Sequence, residues 1–154
     1  MKRITTAALI AAGLLGPCGS DPAAPSNGSQ DPIVANFASL TNTARANAGC
    51  DTLKWHAAAA SVARAHSSDM RERRFFSHTN PDGMSPFDRL DAAGVQFRAA
   101  AENILHGEAS ASRALDLWLN SAGHRANLLD CSYTHHGVGR VETHWTHVFL
   151  RDRS

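Results

Sequence analysis

The chain has 154 residues, 43% of them hydrophobic, with 15 Lys and Arg set against 14 Asp and Glu. That length holds one domain, or one domain plus a tail. A net charge of +1 makes no basic footprint, so nucleic acid is excluded as an expected partner.

Lys2 and Arg3 precede a short apolar run from Ile4 to Leu15. A membrane-spanning helix needs roughly 20 apolar residues, so residues 1–17 read as an export signal peptide. Leu15-Gly16-Pro17-Cys18 resembles a bacterial lipoprotein cleavage site with Cys18 as the lipidated residue, although Pro17 stands where Gly or Ala is usual. A lipoprotein of the cell envelope is the expectation and simple secretion the alternative. The membrane is then touched only through the lipid anchor. Residues 18–31 are rich in Gly, Ser, Pro, Asp and Asn; they cannot bury enough apolar surface to fold and read as a flexible tether. Cleavage before Cys18 removes two of the 15 basic residues and leaves 14 acidic ones, a net charge of about −1. It also leaves Cys50 and Cys131 as an even pair. In an oxidising compartment these are expected to form a disulfide, closing a loop of roughly 80 residues and stabilising by about 4 kcal/mol in the chain-entropy model.

The folded domain is expected over 32–154. Ile33, Phe37, Leu40 and Ala44 recur at helical spacing, predicting a helix over 32–48 closed by Gly49. Trp55, Ala59, Val62, His66 and Met70 make a second stripe, on a helix from about 55 to 73. Asn80-Pro81-Asp82-Gly83 is a turn signal. Ser85 then suits an N-cap and Pro86 a first helical position, giving a short helix to Ala93 stopped by Gly94. Residues 95–105 are extended in part, Ile104 and Leu105 most surely. Ser110 or Ser112 caps a fourth helix with Ala114, Leu115, Trp118 and Leu119 inward. Gly123 breaks it, and a further turn or two runs from His124 to Leu129. Strands over roughly 136–142 and 145–150 close the chain, with Thr143 and His144 at the hairpin between them. Helices first and strands late make the class α+β, with a small antiparallel sheet.

Three polar residues stand out because each is embedded among apolar residues and turn formers. They are His78 in Phe75-Phe76-Ser77-His78, Glu102 in Ala101-Glu102-Asn103-Ile104, and His124 in Gly123-His124-Arg125-Ala126-Asn127. Imidazoles with a carboxylate are the minimal parts for a divalent metal site or for proton transfer near neutral pH. Each also has a structural alternative: Glu102 as acceptor of backbone N–H groups, His124 as a helix N-terminal residue, His78 as part of the turn at Pro81. His66, on an inward stripe, reads as a satisfied core histidine. His135 and His136 read as loop beside a strand start, and His56 and His106 carry no signal. Arg71, Arg73 and Arg74 read as a solvated helix end. No nucleophile-elbow pattern is present.

These stretches resemble the CAP superfamily (cysteine-rich secretory proteins, antigen 5 and pathogenesis-related 1 proteins), in its bacterial SCP-domain branch. The resemblance covers about residues 33–151. It is carried by the three stretches above together with Asn42-Thr43-Ala44-Arg45, Leu53-Lys54-Trp55, His66-Ser67-Ser68-Asp69-Met70, Ser85-Pro86-Phe87-Asp88-Arg89-Leu90, Trp118-Leu119-Asn120-Ser121, Gly137-Val138-Gly139 and Trp145-Thr146. It implies a three-layer α-β-α sandwich with a central antiparallel sheet, and a cleft to which His78, Glu102 and His124 contribute. Where many members carry a second cleft glutamate this chain has Ser121. Ala101 stands where Gly is usual, and His147 where Gln is frequent. His147 is either a third imidazole near the cleft or, as favoured for a polar strand residue, a solvent-facing one.

The expected function is a binding module in the cell envelope, monomeric, whose cleft of His78, Glu102, His124 and Ser121 takes a small or hydrophobic ligand. Zn2+ or another divalent cation on His78 and His124 is the expected cofactor, if any. One alternative is a metal-assisted hydrolase of peptide or cell-wall material with Glu102 as general base. Another is a scaffold that binds an envelope protein.

Overall fold

The computed structural model describes residues 31–153. The expected signal peptide, Cys18 and all of the expected tether except Asp31 lie outside the described residues. Among those described, the helices are α1 (Pro32–Asn47), α2 (Ala57–Arg73), α3 (Pro86–Ala92), α4 (Ala111–Leu119) and α5 (Ala122–Leu128). The strands are β1 (Lys54–Trp55), β2 (Ala99–His106), β3 (His135–Val141) and β4 (His144–Arg151), in the sheet order β1-β3-β4-β2. No helix among the described residues is long and apolar enough to cross a membrane.

Local chemistry sets the helix ends. Asp31 caps α1 by accepting from the Ile33 N–H, with Pro32 at the first helical position. Ser85 and Asp88 form a reciprocal capping box at α3. Ser110, rather than Ser112, caps α4.

Two cores sit on opposite faces of the sheet, giving the three-layer α-β-α sandwich. Alternation along β4 divides them: Trp145 and Phe149 point into a core with Phe37, Trp118 and Leu128, while Val148 and Leu150 join Ala59, Ala63 and Leu90. So α1, α4 and α5 cover one face, and α2 with α3 the other. The α2 layer lies very close to the sheet. A Cβ at Gly137 or Gly139 would collide with the α2 backbone at Ala60 or Arg64, so glycine in β3 opposite alanine in α2 is what permits the contact. On the other side, fully buried Arg45 donates to the carbonyls of Asp51, Leu128, Asp130 and Tyr133. It thereby fastens the loop that carries the Cys50–Cys131 disulfide.

Several expectations need correction. Trp55 belongs to β1, which pairs parallel with β3 through Lys54↔His135 and Trp55↔His136; α2 starts only at Ala57, capped by His56. The sheet is therefore antiparallel in three strands and carries a parallel edge. His135 and His136 are strand residues, not loop, and His144 begins β4 instead of sitting in the turn. His147 does not face solvent. It is fully buried, opposite Asn103 in the register, against Phe37, Trp118 and Phe149. Aromatic packing and a hydrogen bond between its Nε2 and His136 Nδ1 offset part of the cost of burying it, while its Nδ1 is buried with no hydrogen-bond partner among the described residues.

Candidate functional site

The order β1-β3-β4-β2 leaves β2 at an edge of the sheet, and the site is built across that edge. Glu102 lies opposite Val148 and Asn103 opposite His147, so these two neighbours point to opposite faces. Glu102 turns to the side of α2 and α3. Asn103 turns to α5, where it accepts from Asn127 Nδ2 at 2.8 Å and donates to the His124 carbonyl at 3.0 Å. One strand thus holds the two histidine-bearing segments in place, one from each face.

Glu102 is the centre of the first half. Its side chain is 2% exposed, and both oxygens are engaged: Oε1 with His78 Nδ1 at 2.8 Å and Oε2 with an Arg89 amino group at 2.8 Å. A carboxylate only accepts hydrogen bonds, so His78 Nδ1 carries the proton and Nε2 is the ring's remaining nitrogen. Arg89 also donates to the carbonyls of His78 and Met84. One guanidinium therefore fixes both the carboxylate and the loop that presents His78.

The second half is smaller. His124 Nδ1 is 2.9 Å from the Ser121 hydroxyl, one helical turn before it. Burial, and then the neighbouring His78 imidazole, hold the His124 pKa below that of an ordinary histidine. The shift favours the neutral ring at pH 7.

His78 and His124 line one open cavity of about 460 Å³, together with Phe76, Ile104 and Leu105. The predicted pair of histidines is thus brought together. Glu102 and Ser121 are not on its wall; each backs one of the two rings. His147 is in the core and is no third imidazole of the cleft. His66 is in the core as expected but is only half satisfied: Nε2 lies 3.0 Å from the Ser77 carbonyl, while Nδ1 is buried with no hydrogen-bond partner among the described residues. Among the described residues, no group of three or more His, Cys, Asp or Glu side chains is close enough to hold a metal ion.

Sequence reasoning missed Arg89 and Asn103. Arg89 sits in Ser85-Pro86-Phe87-Asp88-Arg89-Leu90, which announces only a capped helix. A buried carboxylate calls for a cationic partner, but Glu102 is 13 residues away and nothing local in the sequence singles out Arg89. Asn103 adjoins Glu102 in a strand, where period-2 alternation requires it to serve the opposite face.

Residues 38–149 match the model of the cysteine-rich secretory protein family, CAP. Two Bacillus subtilis (strain 168) proteins are similar. The uncharacterized protein YkwD is 38% identical over 113 residues, 72% of this chain and 44% of its own length. The uncharacterized membrane protein YlbC is 41% identical over 112 residues, 73% of this chain and 32% of its own length. The chain therefore spans less than half the length of these curated relatives. An extracellular protein containing a SCP domain from Bacillus anthracis str. Ames has a solved structure with a TM-score of 0.78 at 36% identity, over 86% of this chain and 45% of that one. An outer surface protein from Borrelia burgdorferi, at 20% identity and a TM-score of 0.75, covers 81% of this chain and 96% of its own and shares the fold.

Proposed function

The chain belongs to the cysteine-rich secretory protein (CAP) family, and from that membership we propose that it is an exported binding module whose site is the cavity walled by His78 and His124. One observation carries this reading. Each ring has its Nδ1 tied to a protein partner, Glu102 or Ser121, and both rings border the same cavity. Rings fixed in this way are pre-organised to receive a hydrogen-bond donor or a cation. Phe76, Ile104 and Leu105 supply the apolar surface that a small or hydrophobic ligand needs.

A divalent cation fits the same arrangement only as an exchangeable guest. His78 and His124 would hold it. Glu102 stands behind His78 as carboxylates commonly stand behind ligating histidines. A structural zinc site takes four protein ligands, and the described residues offer no such group. Water or the ligand itself would complete the shell, and such an ion would polarise whatever group it held.

The arrangement disfavours Glu102 as the general base of a hydrolase. Both its oxygens already accept hydrogen bonds, and its side chain is 2% exposed. It positions His78 rather than facing a substrate. Export is supported by the Bacillus anthracis relative, described as extracellular, and by the Cys50–Cys131 disulfide, a bond that persists in oxidising compartments. Under this reading residues 1–17 direct export and Cys18 carries the lipid.

Titration with Zn2+ by calorimetry tests the site on the wild type and on His78→Ala/His124→Ala. Heat in the first and none in the second is the expected result. Equal heats would remove the cavity as a cation site. Hydrolysis of peptide or cell-wall material that a chelator and Glu102→Gln both abolish would replace the binding module with an enzyme.

A further inference from the structure

A second cavity of about 360 Å³ adjoins the first, and the side chains of Phe76 and His106 belong to both. Its apolar wall is Met70, Phe75 and Phe76. Phe76 is 54% exposed, a large hydrophobic side chain left open to solvent. His106 and His144, directly opposed across β2 and β4, stack with ring centroids 4.1 Å apart and planes 20° from parallel. Phe75 closes the side toward α2.

The charged residues of this cavity are both cationic, Arg71 from the last turn of α2 and Arg74 at its C-cap. Arg71 holds Glu142 at 2.7 Å. Arg73, between them in sequence, is turned to Asp69 and Asp82. The Arg74 guanidinium has no hydrogen-bond or ion-pair partner among the described residues. Arg74 also adopts the left-handed conformation at the C-cap, with φ 55° and ψ 47°, where Gly or Asn fits at less cost. A helix C-terminus favours arginine on electrostatic grounds alone. That does not account for an exposed phenylalanine and two stacked imidazoles gathered on the same wall.

We propose that this second cavity binds a small molecule with a flat apolar body and one negative charge, the body against Phe75, Phe76 and the stacked His106/His144 pair, the charge at Arg74. Aromatic faces supply area and a preferred orientation for a flat body. A guanidinium without a carboxylate partner supplies directed donors for a carboxylate or sulfonate. This inference does not depend on the reading of the His78/His124 cavity.

Two fluorescent probes with the same body separate the claims: 1-anilinonaphthalene-8-sulfonate, an anion, and N-phenyl-1-naphthylamine, its uncharged counterpart. Full-length protein is titrated with each at fixed ionic strength. The anion should bind about tenfold more tightly, the scale of one charge-assisted hydrogen bond. Arg74→Asn, which tolerates left-handed backbone, should abolish that preference while leaving the neutral probe's affinity unchanged, and Arg74→Lys should restore part of it. Phe76→Ser should weaken both probes. The preference should survive in His78→Ala/His124→Ala. Equal affinities for the two probes in the wild type, or a preference that persists in Arg74→Asn, would overturn the proposal. So would a preference lost only in the double histidine variant, because the probe would then sit in the first cavity.

Discussion

Two pairs of histidines divide this fold between them. His136 and His147 lie in the core, 1% and 0% exposed, with Nδ1 of one 3.1 Å from Nε2 of the other. His78 and His124 lie on the wall of an open cavity, each braced by a different side chain. The core pair is braced by aromatic rings: Phe149 lies 3.9 Å from His147 between centroids, and Phe37 and Trp118 complete the cage. The same imidazole is thus a packing element in one place and a presented group in the other. What differs is the neighbour that holds it, apolar rings against a carboxylate or hydroxyl. The first arrangement spends the ring on stability, and the second keeps a nitrogen for other uses.

Truncation should separate the pairs most sharply. His147→Ala opens a void in the tightest part of the core and leaves His136 without its partner, so a loss of about 3–4 kcal/mol is expected. His124→Ala, at the cavity wall, should cost less than about 1 kcal/mol. Urea denaturation of the two variants gives both numbers. Comparable losses would mean that the cavity pair is structural after all.

Acid should tell the pairs apart next. Burial drives the His136 pKa down to about 3, and that of His147 well below the ordinary value, with cationic Arg45 adding to both. In the unfolded chain each histidine titrates near 6.5. Below that pH the unfolded state binds protons that the folded state refuses. The stability these residues confer is therefore complete above pH 6.5 and is lost as pH falls. The slope is about 1.4 kcal/mol per pH unit for each histidine. Unfolding free energies measured between pH 7 and 5 should fall steeply, and His147→Leu should remove about one histidine's share of the slope. An unchanged slope would show that the core pair takes up protons while folded.

Removing the support of the cavity pair is the third test. Arg89→Gln leaves the buried Glu102 carboxylate without its guanidinium, with His78 as its one remaining side-chain partner among those described, and releases the loop carbonyls of His78 and Met84. A loss of about 2–3 kcal/mol is expected, larger than that from truncating either cavity histidine. If Arg89→Gln is neutral, the brace is decorative.

Much of the fold was legible because helices and caps announce themselves locally. Ser85-Pro86 marks a start that the structure keeps, and Ser110, one of two serines offered as a cap, marks another. The disulfide followed from counting cysteines in an exported chain. The trio His78, Glu102 and His124 was legible as a group through its motifs and family resemblance, though Glu102's burial behind His78 was not. The failures are non-local. β1 is two residues long and exists only because β3 lies beside it, so no periodicity could reveal it. His147 alternates correctly for an inward position, between buried Trp145 and Phe149, but its polarity argued for solvent. Its partner His136 and its aromatic cage come from elsewhere in the chain. Arg89 was invisible as a site residue because its target lies across a loop and a strand.

The smallest expected effect falls on Ser121, where the two kinds of bracing can be compared within one residue type. Ser110 and Ser121 both stand at helix N-caps, but Ser110 accepts from a backbone N–H while Ser121 makes no side-chain cap bond and turns its hydroxyl to His124. Ser110→Ala should therefore cost about 1 kcal/mol, the usual value of a cap. Ser121→Ala should cost less than about 0.5 kcal/mol, since no capping bond is lost. Its effect belongs to the cavity instead: freeing the His124 ring should weaken Zn2+ binding about tenfold, the lower end of what loss of a ligand's orienting partner costs. Urea midpoints and calorimetry on the two alanine variants give the four values. If Ser121→Ala loses stability like Ser110→Ala and binds zinc like the wild type, Ser121 is a helix cap and the second half of the cavity has no dedicated brace.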